Sequence, residues 1–217
     1  MTQTATKNRI LDAAETLIAR DGYAATSLRA ITMEAEANVA AIHYHFGSKQ
    51  ALLEALFDRR VGSVNDERLR RLDEAEQEGD RVPPLEEVLR IFLEPALCRL
   101  GSEDPGWTRF TQLMGRIQSE SGEHVQAIHH VFSRIRERFV AALHRSLPDL
   151  SAADIAWRMH FLIGSMCFLM SDPCRLSVMT EGRCDASDPE QALTQLVAFM
   201  RGGFASPAAS LETEPHS

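Results

Sequence analysis

Apolar residues recur along this chain with the period of a helix almost from end to end. Ile10, Ala13, Ala14, Leu17 and Ile18 fall on one face of a helix over residues 7–20. Asp21-Gly22 ends it, since glycine readily takes the backbone conformation just past a helix C-terminus. Between residues 26 and 53 the pattern becomes two brief helices and the start of a long one. Leu28, Ile31 and Ala35 share a face, and Thr26 is placed to cap that helix with its hydroxyl. Asn38 is placed to cap a second helix over residues 39–44, whose inward side is Ala41 or Ile42 with Phe46 beyond it. Ser48 caps a long third helix that opens at Lys49 and turns Ala51, Leu52, Ala55, Leu56 and Val61 inward. The charged run DERLRRLDEAEQEG extends it to about Gln77 and reads as a solvated face.

Residues 79–84, GDRVPP, form the clearest break. Beyond it Leu85, Val88, Leu89, Phe92, Leu93, Ala96 and Leu97 make a wide stripe, with Pro95 as a kink or early end. A loop over residues 101–106 precedes Trp107, Phe110, Leu113, Met114 and Ile117, again at helical spacing. After Ser121-Gly122 one long helix carries Val125, Ile128, Phe132, Ile135, Phe139, Ala142 and Leu143 to Pro148. Ser151 and Asp154 form a capping signal for the next. Residues 155–170 are apolar on nearly every face, with Gly164 and Ser165 among Trp157, Phe161, Ile163, Phe168 and Met170. Ala192, Leu193, Leu196, Val197, Phe199 and Met200 make a last stripe. No run alternates in the manner of a strand, so the chain is expected to be all-α. No internal repeat is present, and residues 205–217 are expected to be a disordered tail.

Two short helices meeting at a three- to four-residue joint make a helix-turn-helix, whose second helix enters the major groove. Val39, Ala40 and His43 lie on the outer edge of that second helix. Small side chains there let the backbone approach DNA, and His43 offers a donor or an acceptor to a base edge. Tyr44, His45 and Lys49 follow at spacings that suit phosphate, and Ser48 adds a helix N-terminus, itself an anion site. Taken alone, these features more often mark an ordinary packed amphipathic helix.

The full pattern decides between them. AIHYHFGSKQALL, preceded by TSLRAITMEA and KNRILDAAETLIARDGY, resembles the DNA-binding domain of the TetR family of bacterial repressors over roughly residues 7–56. The resemblance implies phosphate contacts from Thr26, Ser27, Tyr44, His45 and Lys49, and base reading by Val39, Ala40 and His43. It implies a helix-turn-helix domain over residues 1–56 and a helical ligand-binding and dimerisation domain over residues 57–204. It also implies a homodimer through a four-helix interface of the last two helices. One position departs from the family: the joint usually carries a glycine, and here it is Glu36.

Composition sharpens this reading. At 217 residues and 44% hydrophobic content the chain is one large domain or two small ones with ample core. The start, MTQTATKNR, is polar and unlike a signal peptide. The longest apolar stretch, residues 161–170, is about half the length a bilayer needs, so no membrane association and a cytoplasmic location are expected. Four widely spaced cysteines (Cys98, Cys167, Cys174, Cys184) without a C-x-x-C pair read as reduced thiols. Net charge is −8, yet residues 1–60 hold as many acids as bases, so the whole excess lies in residues 61–217. Affinity for double-stranded DNA then has to come from a local surface, doubled by a dimer.

For the ligand-binding domain, Phe92, Phe110, Met114, Phe132, Phe139, Trp157 and Phe161 either line an apolar cavity or fill the core. The segments LEEVLRIFLEPAL and WRMHFLIGSMCFLMS are similar to TetR-type regulators that respond to long-chain fatty acids or acyl-CoA. That resemblance implies a small apolar effector, whose carboxylate or phosphate meets Arg116 or Arg134 unless both arginines sit at the surface. His124, His129 and His130 do not suit a metal, because 124 to 129 is a rotation of about 140° and 124 to 130 about 240° on a helix. No phosphate loop, nucleophile elbow or H-E-x-x-H is present, so neither cofactor nor enzymatic activity is expected. The expected function is a ligand-responsive repressor that binds a palindromic operator as a dimer. The alternative is a helical lipid-binding or carrier protein without specific DNA binding, supported by Glu36 and the acidic body.

Overall fold

The computed structural model describes residues 3–77, 82–100, 104–118, 120–122 and 124–208. Among these no strand occurs, and the chain is all-α. Helices α1 (Gln3–Asp21), α2 (Leu28–Glu34), α3 (Val39–His45) and the start of α4 (Lys49–Gln77) form an N-terminal head. Its core is Ile10, Ala14, Ile18, Ile31, Ile42, Leu52, Leu53 and Leu56, all essentially inaccessible to solvent. Helix α4 is a single 29-residue rod, about 43 Å long, that leaves this core and enters the next through Val61, Val64, Leu69 and Leu72. Around it lie α5 (Leu85–Leu97), α6 (Pro105–Gln118), α7 (His124–Val131), α8 (Ser133–Ser146), α9 (Ala152–Ser171), α10 (Arg175–Met179) and α11 (Pro189–Ala205). Helix α5 packs on α11 and α4, while α6 is clasped between α9 and α1 of the head. No helix among the described residues is long and apolar enough to cross a membrane.

Capping explains most boundaries. Asn38 Oδ1 accepts the Ala41 N–H at 2.8 Å, and Ser48 Oγ accepts that of Ala51 at 3.0 Å. Ser151 and Asp154 close the expected reciprocal box at the start of α9. At α2, however, the cap is Ser27, whose Oγ accepts the Ala30 N–H, and not Thr26. Thr26 is buried, and its hydroxyl donates to the Gly22 carbonyl at 2.7 Å, tying the end of α1 to the start of α2.

Several expectations need correction. The first helix begins at Gln3, and α6 begins at Pro105, inside the expected loop; residues 101–103 lie outside the described residues. Of the 79–84 break, residues 79–81 also lie outside them. The long helix expected after Gly122 is two, because Phe132 leaves the helical path (φ −97°, ψ 3°). That break turns its ring inward against Phe57, edge to face at 6.1 Å. The charged run on α4 is more than a solvated face. Arg71 reaches Glu94 on α5, and Arg138 on α8 reaches Asp73 and Glu76, so the rod is strapped to its neighbours. Helix α10, five residues long, is too short to carry a periodic signal in the sequence. The tail expected from residue 205 is held at its start: Arg158 donates to the carbonyls of Phe204, Ser206 and Pro207, closing the C-terminus of α11. Residues 209–217 lie outside the described residues.

Candidate nucleic-acid interface and effector cavity

The joint between α2 and α3 is made by a left-handed residue. Glu36 has φ +47°; its N–H reaches the Met33 carbonyl at 3.3 Å and that of Ala37 reaches Thr32 at 2.9 Å. This pair of bonds is the glycine-type helix ending, built here with a glutamate. Arg9 of α1 steadies it, donating to the Glu36 carbonyl at 3.4 Å and lying 3.8 Å from its carboxylate. A non-glycine residue in this region costs about 1–2 kcal/mol, and glycine recovers most of that less its own flexibility. The exposed ion pair contributes little. Glu36→Gly is therefore expected to raise stability by roughly 0.5–1 kcal/mol, about 2–3 °C in Tm. Thermal denaturation checks it, and a loss of stability would mean that Arg9 matters more than the strain.

Helix α3 presents one side outward. Val39, Ala40, His43 and Tyr44 are exposed while Ile42 is fully buried. Gly47 (φ +80°) ends the helix, its N–H donating to the carbonyls of Ile42 and His43. His43 Nδ1 lies 2.9 Å from the Gly47 carbonyl. A carbonyl only accepts, so this contact requires the proton on Nδ1, which leaves Nε2 of the neutral ring as an acceptor. The Tyr44 hydroxyl accepts from Gln3 at 3.3 Å, and half-buried His45 lies between the rings of Tyr44 and Phe46. Lys49 donates to the Tyr23 carbonyl and sits 4.0 Å over the Tyr23 ring, so its ammonium is held at the head's edge.

Helix α6 touches the head at both ends. At its start Gly106 lies flat against the Arg60 guanidinium, leaving no room for a Cβ, and Arg60 is bound to Glu15 of α1. That bond raises the Arg60 pKa still further above its ordinary value. Just past its end, Glu120 Oε2 accepts the N–H groups of Tyr23 and Ala24 at 3.1 and 3.2 Å. Gly22 (φ +89°) permits this, since a Cβ there would overlap Glu120 Oε1. Buried His124 completes the contact, its ring 5.1 Å from that of Tyr23 and its Nε2 3.2 Å from the Glu120 carbonyl. The same helix forms one wall of a small cavity of about 40 Å³ between α4, α5, α6, α9 and the break at Phe132. Its lining is apolar except for Arg68 of α4, Trp107 and Thr111 of α6, and Cys167 of α9.

Two family models cover most of the chain. "Bacterial regulatory proteins, tetR family" matches residues 10–56, and "Tetracyclin repressor-like, C-terminal domain" matches residues 90–203. The chain belongs to the TetR family. Among solved structures it is similar to the fatty acid degradation regulator FadR from Bacillus halodurans, at 18% identity over 93% of this chain and 97% of that one, TM-score 0.64. It is also similar to NalD, the secondary repressor of the MexAB-OprM multidrug efflux pump in Pseudomonas aeruginosa (21%, 93% and 98%, TM-score 0.61). A third likeness is to SmeT in its complex with triclosan (21%, 97% and 99%, TM-score 0.59). At such identities the likeness is one of fold. No curated protein matches the chain in sequence.

Against this TetR frame the expected site residues separate into groups. Ser27, Val39, Ala40, His43 and Tyr44 are exposed, His45 and Lys49 are half-buried, and Thr26 is buried. Phe110, Met114 and Phe132 line the cavity. Phe92 and Phe139 do not; they pack edge to face at 5.0 Å, with Phe92 under the Arg68 guanidinium. Trp157 and Phe161 lie outside altogether, 63% and 57% exposed. They sit on the outer face of α9 with Phe168, opposite the buried Ile155, Met159, Leu162 and Met166, so they cannot line an internal cavity. Arg134 is exposed, and Arg116 lies near Asp21 of the head instead of the cavity. The arginine that does line it is Arg68. Its signal was present in the sequence as a charge at an apolar-face position, four residues from both Val64 and Leu72.

Proposed function

We propose that this TetR-family protein is a homodimeric, effector-controlled repressor that binds a palindromic DNA operator. The observation that carries the reading is the bare outer face of α3, with Val39, Ala40, His43 and Tyr44 exposed on a helix fixed by Asn38 and Gly47. Residues 1–56 form the DNA-binding domain. Val39, Ala40 and His43 read bases, and Ser27, Tyr44, His45 and Lys49 meet phosphates. An Nε2 acceptor on His43 suits the exocyclic amines of adenine or cytosine in the major groove.

Residues 57–204 dimerise and bind the effector. Trp157, Phe161 and Phe168 on α9, and Phe199 at 74% exposure on α11, form an apolar surface that a second copy would cover. Gly164 and Gly202, beside which a Cβ would meet nothing, leave space for its close approach. A seven-residue recognition helix reads few bases, so two are needed, spaced about one turn of DNA apart. FadR's role in fatty acid degradation and SmeT's triclosan favour a small, largely apolar effector in the cavity. An effector pressing on Phe110 and Met114 would shift α6, and with it Gly106 and Glu120 against the head. It acts as an inducer if it binds the DNA-incompetent arrangement more tightly.

Fluorescence anisotropy with DNA from upstream of the protein's own gene, at several salt concentrations, tests this. His43→Ala is expected to alter preference at one base step by about 1–3 kcal/mol. Lys49→Ala is expected to weaken all sequences alike and lower the salt slope by about one. Equal losses across all sequences for both variants would contradict that division. If no specific site emerges there or in a genome-wide selection, the carrier reading replaces the repressor.

A further inference from the structure

Arg68 is a buried cation with no carboxylate beside it among the described residues. Its Nε donates to the Phe92 carbonyl at 2.7 Å and its Nη1 to Asn65 Oδ1 at 3.1 Å, both neutral acceptors. Its Nη2 meets only the thioether of Met166 at 3.6 Å, a weak acceptor. Elsewhere on α4 the arginines behave otherwise: Arg59, Arg60, Arg70 and Arg71 each hold a carboxylate. Burial pushes the Arg68 guanidinium down to about 10, and it remains charged at neutral pH. A charge taken out of water without a counter-ion is costly, and a fold retains one where something else supplies the counter-charge.

A second, independent group on the same cavity points the same way. Trp107 is 4% exposed, and its indole Nε1–H is buried without an acceptor among the described residues. The indole is a donor only. Thr111 spends its hydroxyl hydrogen on the Thr108 carbonyl at 2.9 Å. The cavity is therefore apolar in most of its walls, cationic at one point, and lined by one indole donor that no acceptor among the described residues meets.

We propose that the effector is a monoanionic amphipathic carboxylic acid, its carboxylate taken by Arg68 and its apolar part lying against Phe110, Met114, Phe132 and Met166. This rests on the reading of the chain as an effector-controlled regulator. A neutral ligand would leave the buried charge uncompensated. An acyl-CoA presents a neutral thioester, and its charges lie on a nucleotide far larger than a cavity of about 40 Å³. That volume seats the acid's head and the first part of its tail. Met114, Met166 and Met170 are unbranched walls that rearrange at low cost, and the α7–α8 break at Phe132 is a joint that can open for the remainder.

The test is isothermal titration calorimetry of the full chain at pH 7 and fixed salt. The probes are straight-chain carboxylates from hexanoate to dodecanoate, each beside its matched primary alcohol. At the best chain length the acid is expected to bind about tenfold or more tighter than the alcohol, the scale of a hydrogen bond to a charged group. Arg68→Met should remove that preference while leaving alcohol affinity within about twofold, and Arg68→Lys should keep part of it. Acid and alcohol binding alike, no acid in the series binding, or a preference that survives Arg68→Met would each overturn the proposal. Should Arg68→Met not fold, the comparison on the unaltered protein decides alone. Operator binding is read separately, in anisotropy titrations without acid, so a failure to bind DNA counts against the repressor and not against the acid site.

Discussion

Glu15→Ala is expected to destabilise the protein by about 3–5 kcal/mol, the range found when one member of a buried ionic cluster is removed. Glu15 lies in the middle of α1 and has no exposed surface. Its two oxygens take Arg59 Nη2 at 2.8 Å, Arg60 Nε at 2.8 Å and Arg60 Nη2 at 2.6 Å. The arginines are themselves mostly covered, at 23% and 18% side-chain exposure. Truncation would leave Arg59 with Asp12 alone, at 2.7 Å, and Arg60 pressed against Gly106 without its bonded carboxylate. For a chain of this length the loss corresponds to a fall in Tm of about 10 °C. Glu15→Gln, which keeps the acceptor oxygen but not the charge, should fall between. Thermal or urea denaturation measures both. A loss below about 1 kcal/mol would mean that the cluster behaves as an exposed pair.

The second large effect is at Gly22. Gly22→Ala is expected to cost about 3 kcal/mol from two sources. A φ of +89° strains any residue with a Cβ, by about 1–2 kcal/mol. The added methyl also displaces the Glu120 carboxylate from the Tyr23 and Ala24 N–H groups, which contribute roughly another 1–2 kcal/mol at this half-buried position. Glu120→Ala alone removes only the second part. The two changes should therefore be non-additive: the double variant should be little worse than Gly22→Ala, with a coupling of about 1 kcal/mol or more. Strict additivity in a double-mutant cycle would show that Glu120 does not bind the loop. Because this contact joins the head to the end of α6, both variants should also weaken any effect of a bound acid on operator affinity.

Much of the head is legible in the sequence alone. Asn38, Ser48 and the Ser151–Asp154 pair each cap a backbone N–H three residues on, so the partners are neighbours in the chain. Thr26 and Ser27 show the limit of that logic. Both can cap, and the choice falls to Ser27 because Thr26 is drawn under the loop by the Gly22 carbonyl. The apolar cavity is legible only in part. Phe110, Met114 and Phe132 carry an apolar signal and line it, but Trp157 and Phe161 carry the same signal and face the opposite way. Arg68 was hidden inside a run of charges whose other members do reach solvent or a carboxylate.

What the sequence determined by itself was helix content, most helix limits and the helix-turn-helix, because these rest on interactions within one or two turns. The tertiary structure alone decided which apolar faces turn inward, since a helix such as α9 is apolar on two sides and only its neighbours choose between them. It also decided where charge is buried. Glu15 meets its arginines across 44 and 45 residues, Glu120 meets its loop across 96 and 97, and Arg68 meets no carboxylate among the described residues. Periodicity carries no information at such separations. The desolvation that gives these groups their weight exists only once the helices have packed.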